Sequence, residues 1–417
     1  MSARDRNGAA RSLGGLLLDL TPLRDSRDFR LLYAGHVVSL IAIGIQGVAL
    51  GLQVYELTGS SVQVGLVSLS LAVPMLALLP LGGVLADRCD RRRQLLLART
   101  GFAATVCILL ANSLLAVPRT WPIFLAAALS GVATGISAPA LIASIPALVG
   151  RGRLAAAGAL NAVAGQIGLL LGPLLAGVAL AWAGIAACYA LAAFGASAAL
   201  LFLARMRPMP PAARAGTSAG ILVAWRFIRA HRLVAGLLLV DLSGLLFAMP
   251  LALYPEFGLR DLGGDAATVS LLHAATAFGA LLAGLTSGRA ARTTRSGRVL
   301  IAAVLAWGAA TAMLGLAPGL AAALLCIAVA GMGLTIAEIL RGAMLQQATP
   351  DHLLGRVGSL WSMQATLAPA LGGMVAALLA RPLGAGAAIT LGGVLCVAGT
   401  LLVAAGFPEL RRAGQRP

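Results

Sequence analysis

Residues 62–93 read VQVGLVSLSLAVPMLALLPLGGVLADRCDRRR. The stretch from 62 to 86 carries no charge, and the next seven positions hold Asp87, Arg88, Asp90, Arg91, Arg92 and Arg93. A run of that length crosses a hydrocarbon core, which needs roughly 20 apolar residues, and the charges that end it mark a water-facing boundary. Eleven further runs of the same kind lie at 31–57, 94–117, 121–149, 154–181, 184–204, 233–257, 266–288, 298–317, 319–345, 354–380 and 383–406. With 59% hydrophobic residues and only 11% charged over 417 positions, the chain cannot build a polar surface, so its solvent is lipid. The fold class expected is an all-α membrane protein with twelve transmembrane helices.

All 31 basic residues are Arg, and they crowd into every second gap. Only Arg119, Arg260 and Arg381 fall in the other gaps. The positive-inside bias therefore puts both termini in the cytoplasm and the chain in a cell membrane, multi-pass. In a soluble chain the net charge of +17 would suggest nucleic acid. Here the Arg residues flank spans and face anionic headgroups, and no nucleic-acid partner is expected. Five scattered cysteines form no CxxC pair, which argues against disulfides and zinc. The first run follows an Arg-rich segment and exceeds a signal-peptide core in length, so it is expected to remain as a helix.

The longest polar interruption, 205–232, begins with Pro208, Pro210, Pro211, Arg214 and Gly216 and continues through Trp225, Arg226, Phe227, Ile228, Arg229, His231 and Arg232. It reads as a linker followed by an amphipathic surface helix. It divides the chain into an N-terminal cytoplasmic segment (1–30) with a six-helix bundle (31–204), and a second six-helix bundle (233–406) with a cytoplasmic tail (407–417). Matched punctuation supports an internal repeat: Gly83 to Arg88 against Gly284 to Arg289, Gly172-Pro173 and Gly177 against Ala368-Pro369 and Gly373, Pro146 to Arg151 against Pro350 to Arg356. Two similar bundles can rock about a midplane site.

Gly83 to Arg93 resembles the signature loop between the second and third helices of the major facilitator superfamily. The resemblance implies a cytoplasmic gate in which Gly83 permits close helix contact and Asp87, Arg88, Asp90, Arg91 and Arg92 supply charge-assisted bonds, with Asp87 and Arg91 as latch partners. The family usually has a small residue at the position of Asp90, which implies a rewired latch. Gly165 to Gly177 resembles the Gly-Pro motif of exchangers in that superfamily: Pro173 removes a backbone donor, and Gly172 and Gly177 admit a neighbouring helix. Within the superfamily, Arg27-Asp28-Phe29-Arg30, Leu52 to Ser61, Asp241-Leu242, Met249-Pro250, Ala252 to Pro255, Thr349-Pro350-Asp351 and Gly355-Arg356-Val357 are similar to the enterobactin-exporter and macrolide-efflux branch. That branch often has Arg where this chain has His36 and Leu251, and basic residues near Ala140 to Ser144. If those cations touch substrate, the ligand here is less anionic than a catecholate siderophore.

Ionisable residues inside a span are costly and are functional candidates by default. Asp241 is the candidate coupling carboxylate, cycling between its protonated and ionised forms, with His273 as a relay. His36, Gln46, Gln53, Phe247 and Met249 are the cavity candidates, because helices one, four, seven and ten line the cavity in the superfamily this chain resembles. Glu56 is read as solvated or as part of an outer gate. Glu338 and Arg341, three positions apart, are read as an ion pair on one helix face. Without a Gly-x-x-x-x-Gly-Lys loop, or indeed any Lys, ATP-driven transport is excluded for this polypeptide. No nucleophile elbow, metal cluster or paired carboxylates suggest an enzyme, and no cofactor or metal is expected. The expected function is proton-coupled efflux of a small amphipathic drug or siderophore by a monomer in the lipid bilayer, with protons as the coupling ion. The alternatives are an importer or facilitator of the same fold, or a non-transporting membrane sensor.

Overall fold

The computed structural model describes residues 19–210, 221–290 and 295–414. Arg214 and Gly216 of the expected linker lie outside them. The described residues form helices: α1 (Arg27–Thr58), α2 (Ser61–Arg88), α3 (Arg91–Ser113), α4 (Trp121–Val149), α5 (Leu154–Ala204), α6 (Ile221–Ala230), α7 (Arg232–Phe247), α8 (Ala266–Ala290), α9 (Ser296–Leu314), α10 (Leu320–Ala348), α11 (Asp351–Leu383) and α12 (Ala385–Gly406). Among the described residues, eleven segments are long and apolar enough to cross a membrane. Large apolar side chains such as Leu97, Trp182, Phe194 and Leu402 stay on the outside, as expected where the surrounding solvent is itself apolar.

The helix ends follow local chemistry. Ser26 opens α1 by accepting from the Phe29 amide at 3.2 Å, and Gly59 closes it with φ 61°, the left-handed position that glycine takes without steric cost. Asp90 caps α3 through the Arg93 amide at 3.1 Å. Asp265, just ahead of α8, accepts from the Thr268 amide at 2.9 Å and hydroxyl at 3.0 Å, and these bonds hold its carboxyl below the ordinary carboxylate range.

α5 spans 51 residues and would reach about 76 Å if straight, more than twice a bilayer core. It does not run straight. Ala183 and Gly184 leave helical geometry, Gly184 at φ 71°, and the Cys188 thiol donates to the Ala176 carbonyl at 3.4 Å across the bend. α5 is thus two antiparallel arms, meeting where the sequence places the gap between its fifth and sixth runs.

The seventh run was expected to be one continuous helix; it is broken. Pro250 has no amide to donate, and the chain passes from α7 through short turns to a π-helical segment at Phe257–Asp261. The exposed Ala248 carbonyl is not left unpaired: the Trp307 indole donates to it at 3.0 Å and the Thr311 hydroxyl at 3.4 Å. An unsatisfied carbonyl in lipid would cost several kcal/mol, so the break persists only because α9 supplies those donors.

Helices α1 to α5 pack chiefly on one another, as do α7 to α12, and α2 with α11 and α5 with α8 form the seams between the two groups. α6 sits on the second group through buried Ile228, which joins Val234, Leu345 and Val357. Small residues set the spacing within each bundle. The expected contact glycine, Gly83, has open space where a Cβ would stand, whereas its neighbour Gly82 has the Gly135 and Ile136 carbonyl oxygens of α4 against it. The two glycines are about 100° apart around the helix, and in this conformation it is Gly82 that faces α4.

Gly82→Ala is therefore expected to force α2 from α4 at a cost of about 1–3 kcal/mol and to lower the melting temperature of the purified protein. Gly83→Ala should leave it unchanged. Melting followed by intrinsic fluorescence separates the two variants.

Candidate functional site

A cavity of about 380 Å³ lies between the two groups of helices. Its wall takes Gly44, Gly47 and Gly51 from α1, Gln166 and Pro173 from α5, His273 and Thr276 from α8, Leu334 and Glu338 from α10, and Met249 and Leu251 from the break after α7. That break delivers Met249 and Leu251 to the wall. The close approach of α1 and α5 is set by Gly44 and Gly172, each filling the space where the other would carry a side chain, and Gly177 meets Ser270 of α8.

One face of the molecule is closed. The Ser61 hydroxyl donates to the Glu256 carboxylate across the seam. Arg260 reaches Glu256 at 4.0 Å and stacks over the Tyr55 ring at 5.6 Å. Val62 joins a core with Leu253, Tyr254 and Phe257. Among the described residues, the ion pairs at the opposite face, Arg153–Asp25 and Arg232–Glu409, each stay within one group of helices.

Of the cavity candidates, Met249 stands on the wall, and so do the coupling candidate His273 and the kink residue Pro173. His273 meets Tyr254 edge-on at 4.9 Å between ring centres. The other four candidates lie elsewhere. Gln46 donates to the Ser130 hydroxyl at 3.3 Å, which lies 3.0 Å from that of Thr105. Gln53 accepts from the Tyr189 hydroxyl at 2.7 Å. Both amides tie α1 to its own bundle, and neither faces the cavity. Phe247 packs against the core of the second group. His36 lies in a crevice with Phe29, Tyr33, Ile145 and Asn161, its Nδ1 buried without a partner. Glu56 is exposed at the end of α1.

Asp241 is buried and is paired with Arg341 of α10. Its second oxygen accepts from Gln364 of α11 at 2.9 Å, and the same amide nitrogen donates to the Leu238 carbonyl at 3.0 Å. The Arg341 guanidinium lies over the Trp361 ring at 4.9 Å. Three helices thus meet on one carboxylate. The expected Glu338–Arg341 pair is not formed: Arg341 turns inward to Asp241, and Glu338 is exposed on the cavity wall. A buried Asp offers Arg341 a better-desolvated partner than an exposed Glu one turn away.

The loop at the end of α2 also differs from expectation. Arg91 is buried and donates to the Ala86 carbonyl at 3.1 Å and the Ala143 carbonyl at 2.9 Å. Arg92 donates to the Leu203 carbonyl at 3.3 Å. Asp90, besides capping α3, accepts from the Met209 amide at 3.0 Å. Asp87 and Arg88 are exposed. The Asp87–Arg91 latch is absent in this conformation, and Arg91 instead donates to backbone carbonyls of α2 and α4. The sequence reading missed Glu256 and Arg260 as a clasp and Gln166 and Glu338 as wall groups. Glu256 and Glu338, carboxylates inside apolar runs, were the signals available.

A family model described as transmembrane secretion effector matches residues 18–415. The enterobactin exporter EntS of Salmonella choleraesuis is 34% identical over 409 residues, covering 96% of this chain and 97% of that protein. That of Citrobacter koseri is 35% identical over 411 residues, with the same coverage of each. Among solved structures, a POT family transporter in complex with 5-aminolevulinic acid superposes with a TM-score of 0.74 at 14% identity, covering 92% of this chain and 97% of that one. The human organic anion transporter MFSD10 (TETRAN) gives 0.65 at 17% identity, over 90% of this chain and 99% of that one. These two share the fold.

Because the Asp241–Arg341 pair is buried, removing one member strands the other. Asp241→Ala or Arg341→Ala alone is expected to cost about 3–5 kcal/mol, whereas a double Asp241→Leu/Arg341→Met variant should lose much less. Thermal melts of the three purified variants check the order.

Proposed function

The chain belongs to the transmembrane secretion effector family within the major facilitator superfamily, a multi-pass membrane transporter and not an enzyme, and from that footing we propose that it exports a small amphipathic molecule, a drug or a siderophore, in exchange for protons. The observation that carries this reading is the central cavity, closed on one face by Ser61–Glu256 and Arg260–Tyr55 and bordered at its other end by Glu338. Alternating access requires such a state. The two bundles, 31–204 and 233–406, joined by 205–232, are the rocking units. Twelve crossings with both termini cytoplasmic make the clasped face the outer one, the chain acting as a monomer.

Asp241 is the coupling carboxylate in this reading. Arg341, Gln364 and Trp361 surround it, and Glu338 follows one turn before Arg341. Protonation removes the charge that holds Arg341, so a bound proton changes how α7, α10 and α11 grip one another. His273, on the wall, can relay protons between the cavity and the bundle. Differential proton affinity of the two facing states then couples the gradient to movement. When the cytoplasmic face closes, exposed Asp87 and Arg88 are placed to engage the second bundle, with Gly83, Asp90, Arg91 and Arg92 keeping the loop in shape. Pro173, between Gly172 and Gly177, bends α5 at the cavity wall. The sequence likeness to enterobactin exporters supports the outward direction.

Two outcomes test this. Asp241→Asn in proteoliposomes should abolish substrate flux driven by a pH jump while counterflow exchange continues; intact coupled flux would reject the assignment. A disulfide between Ser61→Cys and Glu256→Cys should stop transport, with recovery on reduction. Unimpaired flux through the cross-linked protein would overturn alternating access.

A further inference from the structure

Three polar groups on the wall of the central cavity stand without partners: the Glu338 carboxylate and the Gln166 Oε1, which only accept, and the Thr276 hydroxyl, which can accept or donate. Glu338 of α10 is exposed to the cavity, and among the described residues no cation pairs with it. Arg341, one turn further along the same helix, is buried and committed to Asp241. Across the cavity, in the other bundle, the Gln166 Oε1 is buried and unbonded. No Arg contributes to the wall, and His273 is its one other titratable group.

The unpaired Glu338 carboxylate sets the sign of the ligand. An acceptor shielded from water stays costly until something donates to it, and a carboxylate without a counter-cation is neutralised best by a positive charge brought in by the ligand. A polyanionic ligand would meet Glu338 charge against like charge and would offer nothing to Gln166 Oε1. The remaining wall, with Met249, Leu251 and Pro173, is apolar.

We infer that the cavity selects organic cations: a positively charged nitrogen pairs with Glu338, an N–H of the same ligand donates to Gln166 Oε1, and the apolar body lies against Met249 and Pro173. This deepens the transporter reading and rests on it, since it takes this cavity as the transport site. A catecholate siderophore has the opposite charge and is disfavoured.

The test uses full-length purified protein and two probes, ethidium as an amphipathic cation carrying amino groups, and enterobactin as a catecholate that ionises to an anion, with binding read by fluorescence. The wild type should bind ethidium more tightly than enterobactin. Glu338→Gln should weaken ethidium roughly tenfold or more, Glu338→Asp should keep most of the affinity, and Gln166→Ala should weaken ethidium by a smaller factor. Melting temperatures identify any variant that fails to fold, and Glu338→Asp then carries the comparison with Gln166→Ala. The inference is overturned if Glu338→Gln binds ethidium within twofold of wild type, if wild type prefers enterobactin, or if wild type binds no ethidium. Counterflow in proteoliposomes keeps the two readings apart. Enterobactin transport that is indifferent to Glu338→Gln sinks the charge assignment and leaves the transporter standing, whereas flux that survives the outer-face cross-link sinks alternating access.

Discussion

Lipid accepts and donates no hydrogen bonds, and that single constraint shapes this protein. It makes every long segment a helix and turns the apolar side chains outward as well as inward. It also permits irregular backbone only where another part of the chain answers it. The break after α7 meets that condition through Trp307 and Thr311. The same break brings Met249 and Leu251 to the cavity wall, so the most irregular backbone within a span lies beside the site.

Charge obeys the same rule. Arg91 and Arg92, at the end of the first bundle away from the clasp, donate to backbone carbonyls of α2, α4 and α5. Deeper in the structure, Asp241 collects Arg341 and Gln364 from two other helices. That one carboxylate therefore ties α7, α10 and α11 together. Glu338 differs because it faces open space. One carboxylate, Asp241 of α7, is thus satisfied by its neighbours, and the other, Glu338 of α10, is not.

Much of the fold was legible because hydropathy and Arg placement act over whole segments. Run length tolerates errors of a few residues, and even the bend at Ala183 and Gly184 left its mark as a gap. The site was less legible, because a site depends on phase. Gly82 and Gly83 are adjacent, yet only one meets α4. Gln46 and Gln53 sit on α1, a cavity helix, but on the face turned to Ser130 and Tyr189. A run that is apolar all round has almost no amphipathic signal to say which face is which. Arg341 could reach either of two carboxylates, and burial, which a sequence does not display, decided between them.

The glycines link these observations to motion. Gly44 and Gly172 bring α1 and α5 into backbone contact beside Pro173, and Gly177 brings α5 against Ser270 of the other bundle. A smooth, small-residue seam lets helices slide without breaking side-chain interlock. The clasp at the closed face is built differently, from Glu256, Arg260, Ser61 and Tyr55. Polar clasps of this kind are individually weak where water can reach them, whereas separating the buried Asp241–Arg341 pair would strand a charge away from water. The clasp at the rim is therefore the weaker of the two links, and the buried pair the stronger.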